Sequence, residues 1–336
     1  MKKILITGAN SQFSQHFIRW LQLNQPDVQV LTTTRNEKYD KQSYLFDKSK
    51  VEFVLTPESN NTGFYVYLLK TFKPDYFINT MGATSIARSW LYPEEYVSVN
   101  TVTVLRQLEA IKTSLQSVKY INLGSSEELT GINPYSISKG TARSFVETYR
   151  KAYGLKCSQL YCFNFESELR QESAVSRKIS LNISRINKEI INKQKIIPMR
   201  LGNLEIRRDW SYVGDFVEAV WLVLHSEKEM KDYTLASGET HSLMEFVELA
   251  FSKIGVSGFW EGKGLNKKFY IANYLIDIAD INGIELVVTD SEFYRPTESE
   301  GRAGNIFEIY NDLGWKPKTS FKDLVYKLVE FDLCHE

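Results

Sequence analysis

The sequence predicts an α/β chain, a doubly wound parallel sheet followed by a smaller C-terminal lobe. Three observations carry this. Short β-branched runs alternate with helix-length amphipathic segments over the first half of the chain. The chain opens with a strand, Lys3–Ile6, a Thr7-Gly8-Ala9-Asn10 turn, a helical segment Phe13–Leu23 and a second strand Val28–Thr33, a βαβ unit of about 30 residues. The apolar run Val118–Leu123 reads as a parallel strand buried on both faces.

Such a βαβ unit holds a dinucleotide by placing its pyrophosphate at a helix N-terminus, so Gly8, Asn10, Ser11, Gln12 and Phe13 are candidate cofactor contacts. A G-x-x-G-x-x-G pattern would put glycines at 8, 11 and 14, where this chain has Gly8, Ser11 and Ser14. Ser14 is small enough for close helix–strand packing. Ser11 stands where the backbone must approach a phosphate, and its hydroxyl is expected to donate to a phosphate oxygen instead. The same corner also reads as a βα turn that binds nothing. At the end of the second strand, Arg35 and Asn36 take the place of the carboxylate that favours NAD, and an Arg there suits the 2′-phosphate of NADP.

Further pairs follow: strand Val51–Leu55, helix Phe64–Phe72 and strand Tyr76–Thr80. The small-residue turn Met81-Gly82-Ala83-Thr84 makes Gly82 and Thr84 candidates for a passing cofactor. Helical periodicity over 97–113 precedes the strand at 118–123, and helix Ser136–Tyr153 and strand Cys157–Phe163 complete the first half.

The stretch Gly124–Lys139, GSSEELTGINPYSISK, concentrates the chemistry. Tyr135 and Lys139 lie one helical turn apart on one face, where an ammonium lowers the phenol pKa and lets it serve as a base. Ser126 and Glu128 lie just before them. An amphipathic helix preceded by a solvated acidic loop is the plainer reading of the same residues.

Composition sets further bounds. Hydrophobic residues make up 43% and charged residues 24%, ordinary for a globular chain. Lys+Arg and Asp+Glu balance at 41 each, which argues against a nucleic-acid or membrane-surface partner. Three unevenly spaced cysteines suggest a reducing compartment. The opening residues read as a strand rather than a targeting peptide, and no apolar run spans a bilayer, so a cytoplasmic protein is expected. The four histidines are scattered, and no metal site is expected.

After about residue 164 the pattern becomes irregular, with helices expected near 175–193, 214–227, 242–254 and 320–331. Arginines and lysines cluster in this half (Arg170, Arg177, Lys178, Arg200, Arg207, Arg208, Arg295). Solvated faces account for most such charges, and a diphosphate-bearing substrate would need a few.

These features together resemble the extended short-chain dehydrogenase/reductases, within the NAD-dependent epimerase/dehydratase superfamily. The resemblance sharpens to the GDP-mannose 4,6-dehydratase family through Phe163-Asn164-Phe165-Glu166-Ser167, Ser176-Arg177-Lys178-Ile179, Leu201-Gly202-Asn203-Leu204 and Arg208-Asp209-Trp210. It continues through Trp260-Glu261-Gly262, Gly264-Leu265-Asn266, Tyr294-Arg295-Pro296-Thr297-Glu298 and Leu313-Gly314-Trp315-Lys316-Pro317. It implies a Rossmann domain over 1–164. It also implies a mainly nucleotide-sugar-binding lobe over 165–336, some of whose segments return to the Rossmann sheet.

The resemblance implies that Ser126, Glu128, Tyr135 and Lys139 are catalytic and that Arg170, with Tyr135 and Lys139, contacts the cofactor, NADP rather than NAD. It places Ser89, Asn164, Lys178, Gly202, Asn203, Arg208, Arg295 and Glu298 at the GDP-sugar. The implied chemistry is oxidation at C4, loss of water across C5 and C6, and hydride return to C6, in a homodimer or homotetramer assembled through the helices near 97–113 and 136–153. This chain departs from the family pattern at Ser11 and Ser14, at Phe165 where the family has a His, and at Val54-Leu55-Thr56-Pro57, which lacks an Asp. Only six residues separate Glu128 from Tyr135, fewer than in the family. Two other readings stay open: a GDP-sugar C4 oxidoreductase without elimination, and a nucleotide-sugar-binding relative that has lost turnover.

Overall fold

A computed structural model describes residues 1–35, 45–57, 60–115, 117–274, 283–294 and 301–335. The chain forms two compact units. The first comprises Met1–Phe163, Val213–Leu235 and Asn305–Lys316. The second comprises Asn164–Tyr212, Ala236–Gly304 and Pro317–Glu336.

In chain order the first unit runs β1 (Lys3–Thr7), α1 (Gln12–Asn24), β2 (Gln29–Thr34), β3 (Val51–Leu55), α2 (Thr62–Phe72) and β4 (Tyr76–Asn79). Two short helices, α3 (Ile86–Leu91) and α4 (Pro93–Tyr96), lead through a π-helical turn, Val97–Val102, into α5 (Thr103–Ser114). Then come β5 (Lys119–Leu123), a 3-10 turn Ser126–Leu129, α6 (Pro134–Tyr153) and β6 (Cys157–Cys162). The helix Val213–His225 and the strand Tyr233–Leu235 return to this unit.

All seven strands are parallel, in the order Tyr233–Leu235, β6, β5, β4, β1, β2, β3. The strand order reverses between β1 and β4, the position at which such sheets open a ligand crevice beyond their carboxyl ends. On one face, Leu5, Phe77, Tyr120 and Cys157 pack with Tyr65, Leu69, Leu108 and Val146 of the covering helices. On α1, Trp20 meets Trp221 of Val213–His225, with ring centroids 5.2 Å apart.

Local chemistry sets the helix ends. Asn133 caps α6 reciprocally with Ser136, Pro134 occupies the first turn, and Gly154 closes the helix in the left-handed region at φ 64°. Expectation and structure differ around 86–102. Helical periodicity places one helix over 97–113, whereas the chain makes two short helices and a π-helical turn before α5.

The second unit holds the helices Val175–Ile191, Leu243–Lys253 and Phe321–His335. Its four-stranded sheet has the order Val256–Glu261, Lys268–Tyr274, Glu285–Thr289, Met199–Leu201. Its core gathers Ile179, Ile183, Phe246, Phe251, Phe269 and Leu328. Arg177 and Asp332 form a buried ion pair within it.

Candidate active site

Beyond the carboxyl end of β5, Ser125 caps the 3-10 turn that carries Ser126 and Glu128. The turn packs against α6 at Gly140, where a Cβ would stand 2.8 Å from the Glu128 carbonyl oxygen. This close approach lets six intervening residues suffice between Glu128 and Tyr135.

Glu128 is 4% exposed. Its Oε2 accepts hydrogen bonds from Gln159 Nε2 at 2.8 Å and from the Ser125 backbone N–H at 3.2 Å. Its Oε1 is buried and meets no donor among the described residues. Burial pushes this carboxyl up from 4.5 to about 7, against the hydrogen bonds from Gln159 and Ser125 and the positive charges of Lys139 and Arg143.

Tyr135 and Lys139 are buried on α6, 7% and 5% exposed. The Tyr135 ring packs edge-on to Tyr96 at 6.3 Å. Lys139 Nζ donates to the Leu123 carbonyl at 3.0 Å, and burial pushes its ammonium below the ordinary lysine range against the opposing charge of Glu128. A Cβ at Gly82 would lie 3.3 Å from that Nζ, so the lysine reaches the turn after β4. Asn100, from the π-helical turn, holds this turn in place. Its Oδ1 accepts from Ala83 N at 2.9 Å, and its Nδ2 donates to Ala83 O at 3.1 Å and to Ser138 Oγ at 3.0 Å.

At the β1–α1 corner, Gly8 adopts φ +91°, and a Cβ there would lie 2.8 Å from Thr80 Oγ1. The Ser11 hydroxyl accepts from Ser14 N and lies 2.9 Å from Ser14 Oγ and 2.8 Å from Thr80 Oγ1, and the last two are 2.8 Å apart. In this structure the Ser11 hydroxyl is engaged within the protein. Its hydroxyl caps α1 and closes a three-hydroxyl cluster that takes the place of the missing glycines. Asn10 is exposed at this corner, Gln12 and Phe13 are buried in the first turn of α1, and Arg35 is exposed after β2. Thr84 is exposed beside Ala83. Ser89 is fully buried on α3 and donates to Ile86 O.

In the second unit, Arg170 pairs with Glu166 at 3.3 Å. Lys178 Nζ lies 3.3 Å from the Phe293 ring centroid, and a Cβ at Gly202 would meet the Phe293 carbonyl at 2.4 Å, so Phe293 brings these two residues together. Asn164 lies on a strand paired with Trp210–Tyr212. Asn203 Oδ1 accepts from Glu205 N, and Arg208 donates to the Arg207 carbonyl. Asn36, Arg295 and Glu298 lie outside the described residues.

Three residues of the candidate site escaped the sequence reading. Gln159 and Asn100 reach the site through strand register and a helix far along the chain, with no local signal. Arg143 had one: it continues the four-residue spacing of Tyr135 and Lys139 on α6. Among the described residues no cluster of His, Cys, Asp and Glu could hold a metal, and no helix is long and apolar enough to cross a membrane.

The family model for GDP-mannose 4,6 dehydratase matches residues 5–328. The GDP-mannose 4,6 dehydratase of Cricetulus griseus is 33% identical over 284 residues, spanning 80% of this chain and 73% of that protein. Two solved structures share the fold. The dTDP-glucose 4,6-dehydratase of Bacillus anthracis in complex with NAD has a TM-score of 0.73 at 18% identity and covers 98% of this chain and 96% of its own. RMD from Pseudomonas aeruginosa complexed with NADPH has a TM-score of 0.72 at 16% identity and covers 100% and 99%. With a family model matched along nearly its whole length and a relative 33% identical over 80% of it, the chain belongs to the GDP-mannose 4,6-dehydratase family.

Proposed function

We propose that this protein converts a GDP-sugar, GDP-mannose or a close relative, to its 4-keto-6-deoxy product, with NADP as cofactor. The observation that carries this reading is Glu128, a buried carboxyl with one oxygen anchored, the other unpartnered, and a pKa of about 7. A group titrating there takes and returns a proton with comparable ease, as elimination requires and simple oxidation does not.

Tyr135 takes the C4 hydroxyl proton, and Ser126 hydrogen-bonds the forming carbonyl. The 4-keto group acidifies C5–H, and Glu128 removes that proton and hands it to the C6 hydroxyl, which departs as water. Tyr135 then protonates C5. NADP, when bound, supplies the acceptor for the C4 hydride and the donor that returns it to C6.

The residues present fit such a cofactor. Gly8 lacks the Cβ that would fill the turn after β1, Gly82 leaves room beside Lys139, and the first N–H groups of α1 follow Gly8. Arg35, exposed at the end of β2, supports NADP over NAD. By the family resemblance, Lys178, Asn203, Arg208, Arg295 and Glu298 fall on segments that hold the GDP-sugar. Exposed Val97, Ile137 and Tyr153 support assembly of a homo-oligomer through the helices at 97–114 and 134–153. Cys157, Cys162 and Cys334 are all unpaired, which fits a cytoplasmic protein.

Incubation with GDP-mannose and NADP followed by mass spectrometry tests the proposal. A product lighter by one water supports it. No loss of water from GDP-mannose or from any of a panel of related GDP-hexoses, or a product differing only in hydrogen, overturns it.

A further inference from the structure

Four buried polar side chains lie at one register across β1, β4, β5 and β6. Thr7 is paired with Asn79, Asn79 with Asn122, and Asn122 with Gln159. Positions buried on both faces of a parallel sheet are ordinarily apolar, because an amide there is costly unless fully hydrogen-bonded. Here each one is bonded, and always in the same sense. Thr7 Oγ1 donates to Asn79 Oδ1 at 2.7 Å, and Asn79 Nδ2 donates to Asn122 Oδ1 at 2.7 Å. Asn122 Nδ2 donates to Gln159 Oε1 at 2.8 Å, and Gln159 Nε2 donates to Glu128 Oε2 at 2.8 Å. A side branch feeds the same direction: the Tyr120 hydroxyl donates to Gln107 Oε1 at 2.7 Å, and Gln107 Nε2 donates to Asn79 Oδ1 at 3.1 Å.

The ladder thus begins at hydroxyl donors and ends on a carboxylate, a group that when ionised only accepts. Aligned amide dipoles strengthen one another in a low-dielectric interior. At the end of the ladder the backbone has been cleared for the last bond. A Cβ at Gly124 would fall 2.2 Å from Gln159 Nε2 and 2.6 Å from Glu128 Oε2. With two donors aimed at Oε2, a proton on that atom would face N–H groups, so the acid form carries its proton on Oε1.

We propose that the Thr7–Asn79–Asn122–Gln159 ladder is a positioning device for Glu128, fixing Oε2 as a standing acceptor so that the proton moved in catalysis resides on Oε1. The inference rests on the acid–base role given to Glu128 above. The other groups facing this carboxyl are Lys139 and Arg143 from α6 and Tyr161 and Cys162 from β6. Lys139 and Arg143 favour the ionised form, as Gln159 does.

The test reads the Glu128 carboxyl directly, by infrared titration of its protonated C=O stretch, assigned by its loss in Glu128→Gln. The sample is the full chain without sugar. Gln159→Met keeps the volume and removes the donor. It should move the titration upward by about one to two pH units and lower kcat more than it changes KM. Asn122→Leu leaves Gln159 in place and should move the titration in the same direction by a smaller amount. An unmoved midpoint in Gln159→Met overturns the proposal, and so does an unmoved midpoint in Asn122→Leu beside a moved one in Gln159→Met. Should Gln159→Met fail to fold, Gly124→Ala drives a methyl against the same bond and must give the upward shift. Because the titration needs no turnover, a shifted midpoint with no dehydrated product would count against the assigned reaction and leave the ladder standing.

Discussion

Glu128→Gln should cost the protein its elimination chemistry and make it more stable above neutral pH. In the folded chain burial raises this carboxyl from 4.5 to about 7. At about 1.4 kcal/mol per pH unit, holding it ionised at pH 8 costs about 3 kcal/mol relative to an unfolded chain, in which it ionises freely. The sign follows from the direction of the shift. The protonated carboxyl's contribution is complete below pH 4.5 and is lost as the pH rises through 7. Gln has no proton to lose and keeps the neutral form's stability throughout. Its NH2 stands in the place of Oε1, where the protonated acid would likewise present a donor, so that difference largely cancels. The attraction of Lys139 for the ionised form is already contained in that shift. The variant should therefore be about 2–3 kcal/mol more stable at pH 8 and within about 1 kcal/mol of the parent at pH 5. The assay is the thermal midpoint of both proteins at both pH values, without sugar. A gap of a few degrees should open at pH 8 and nearly close at pH 5. Equal midpoints at pH 8, or a less stable variant there, would refute the argument that burial sets the proton affinity of Glu128.

Tyr135→Phe should lower kcat by about 10²–10⁴ and leave the KM for the sugar within about twofold, and steady-state kinetics near the parental rate would remove it as the C4 base. Gly8→Ala forces a side chain into a left-handed backbone and against Thr80 Oγ1 at 2.8 Å. It should destabilise the first unit by about 1–3 kcal/mol and weaken NADP binding roughly tenfold in a fluorescence titration, and unchanged affinity would place the cofactor elsewhere. Asp332→Asn leaves the Arg177 guanidinium buried beside a neutral amide. A loss of about 3–5 kcal/mol is expected in urea denaturation, largely recovered when Arg177→Met is added.

Much of this architecture was legible in the chain because its strands are buried on both faces. Runs such as Lys119–Leu123 and Tyr76–Asn79 are largely apolar, short and bounded by turns, so their places in a parallel sheet followed without knowledge of contacts. Tyr135 and Lys139 were legible for a similar reason: helical spacing alone puts them on one face. The helices α3 and α4 were not, since six and four residues are too few to show a period. The hydroxyl cluster of the serines at 11 and 14 was not legible because a glycine fingerprint is read locally. The hydroxyl that completes their cluster belongs to Thr80, 66 residues beyond Ser14. The amides of Asn79, Asn122 and Gln159 stood in plain view as polar interruptions of buried strands. Their meaning depended on register, which places them side by side only once the sheet is assembled.

That dependence bears on how the groups proposed for the chemistry are held in this chain. Several groups of the site are held by residues outside their own segments. Glu128 is held to β6 through Gln159, Lys139 to β5 through the Leu123 carbonyl, and the turn after β4 to the π-helical segment through Asn100. Groups fixed to sheet backbone keep their geometry to within the tolerance catalysis demands, and loop-borne groups do not. Shortening the segment between Glu128 and Tyr135 therefore alters the wall beside the substrate and leaves its two ends in place. Replacing glycines at 11 and 14 alters how the cofactor turn is closed and leaves Gly8, the position that needs φ +91°, untouched. The departures at 11, 14 and between Glu128 and Tyr135 fall on turns or on the first turn of α1, whereas Val54, Leu55 and Phe165 lie on strands and depart from the family pattern in side chain alone.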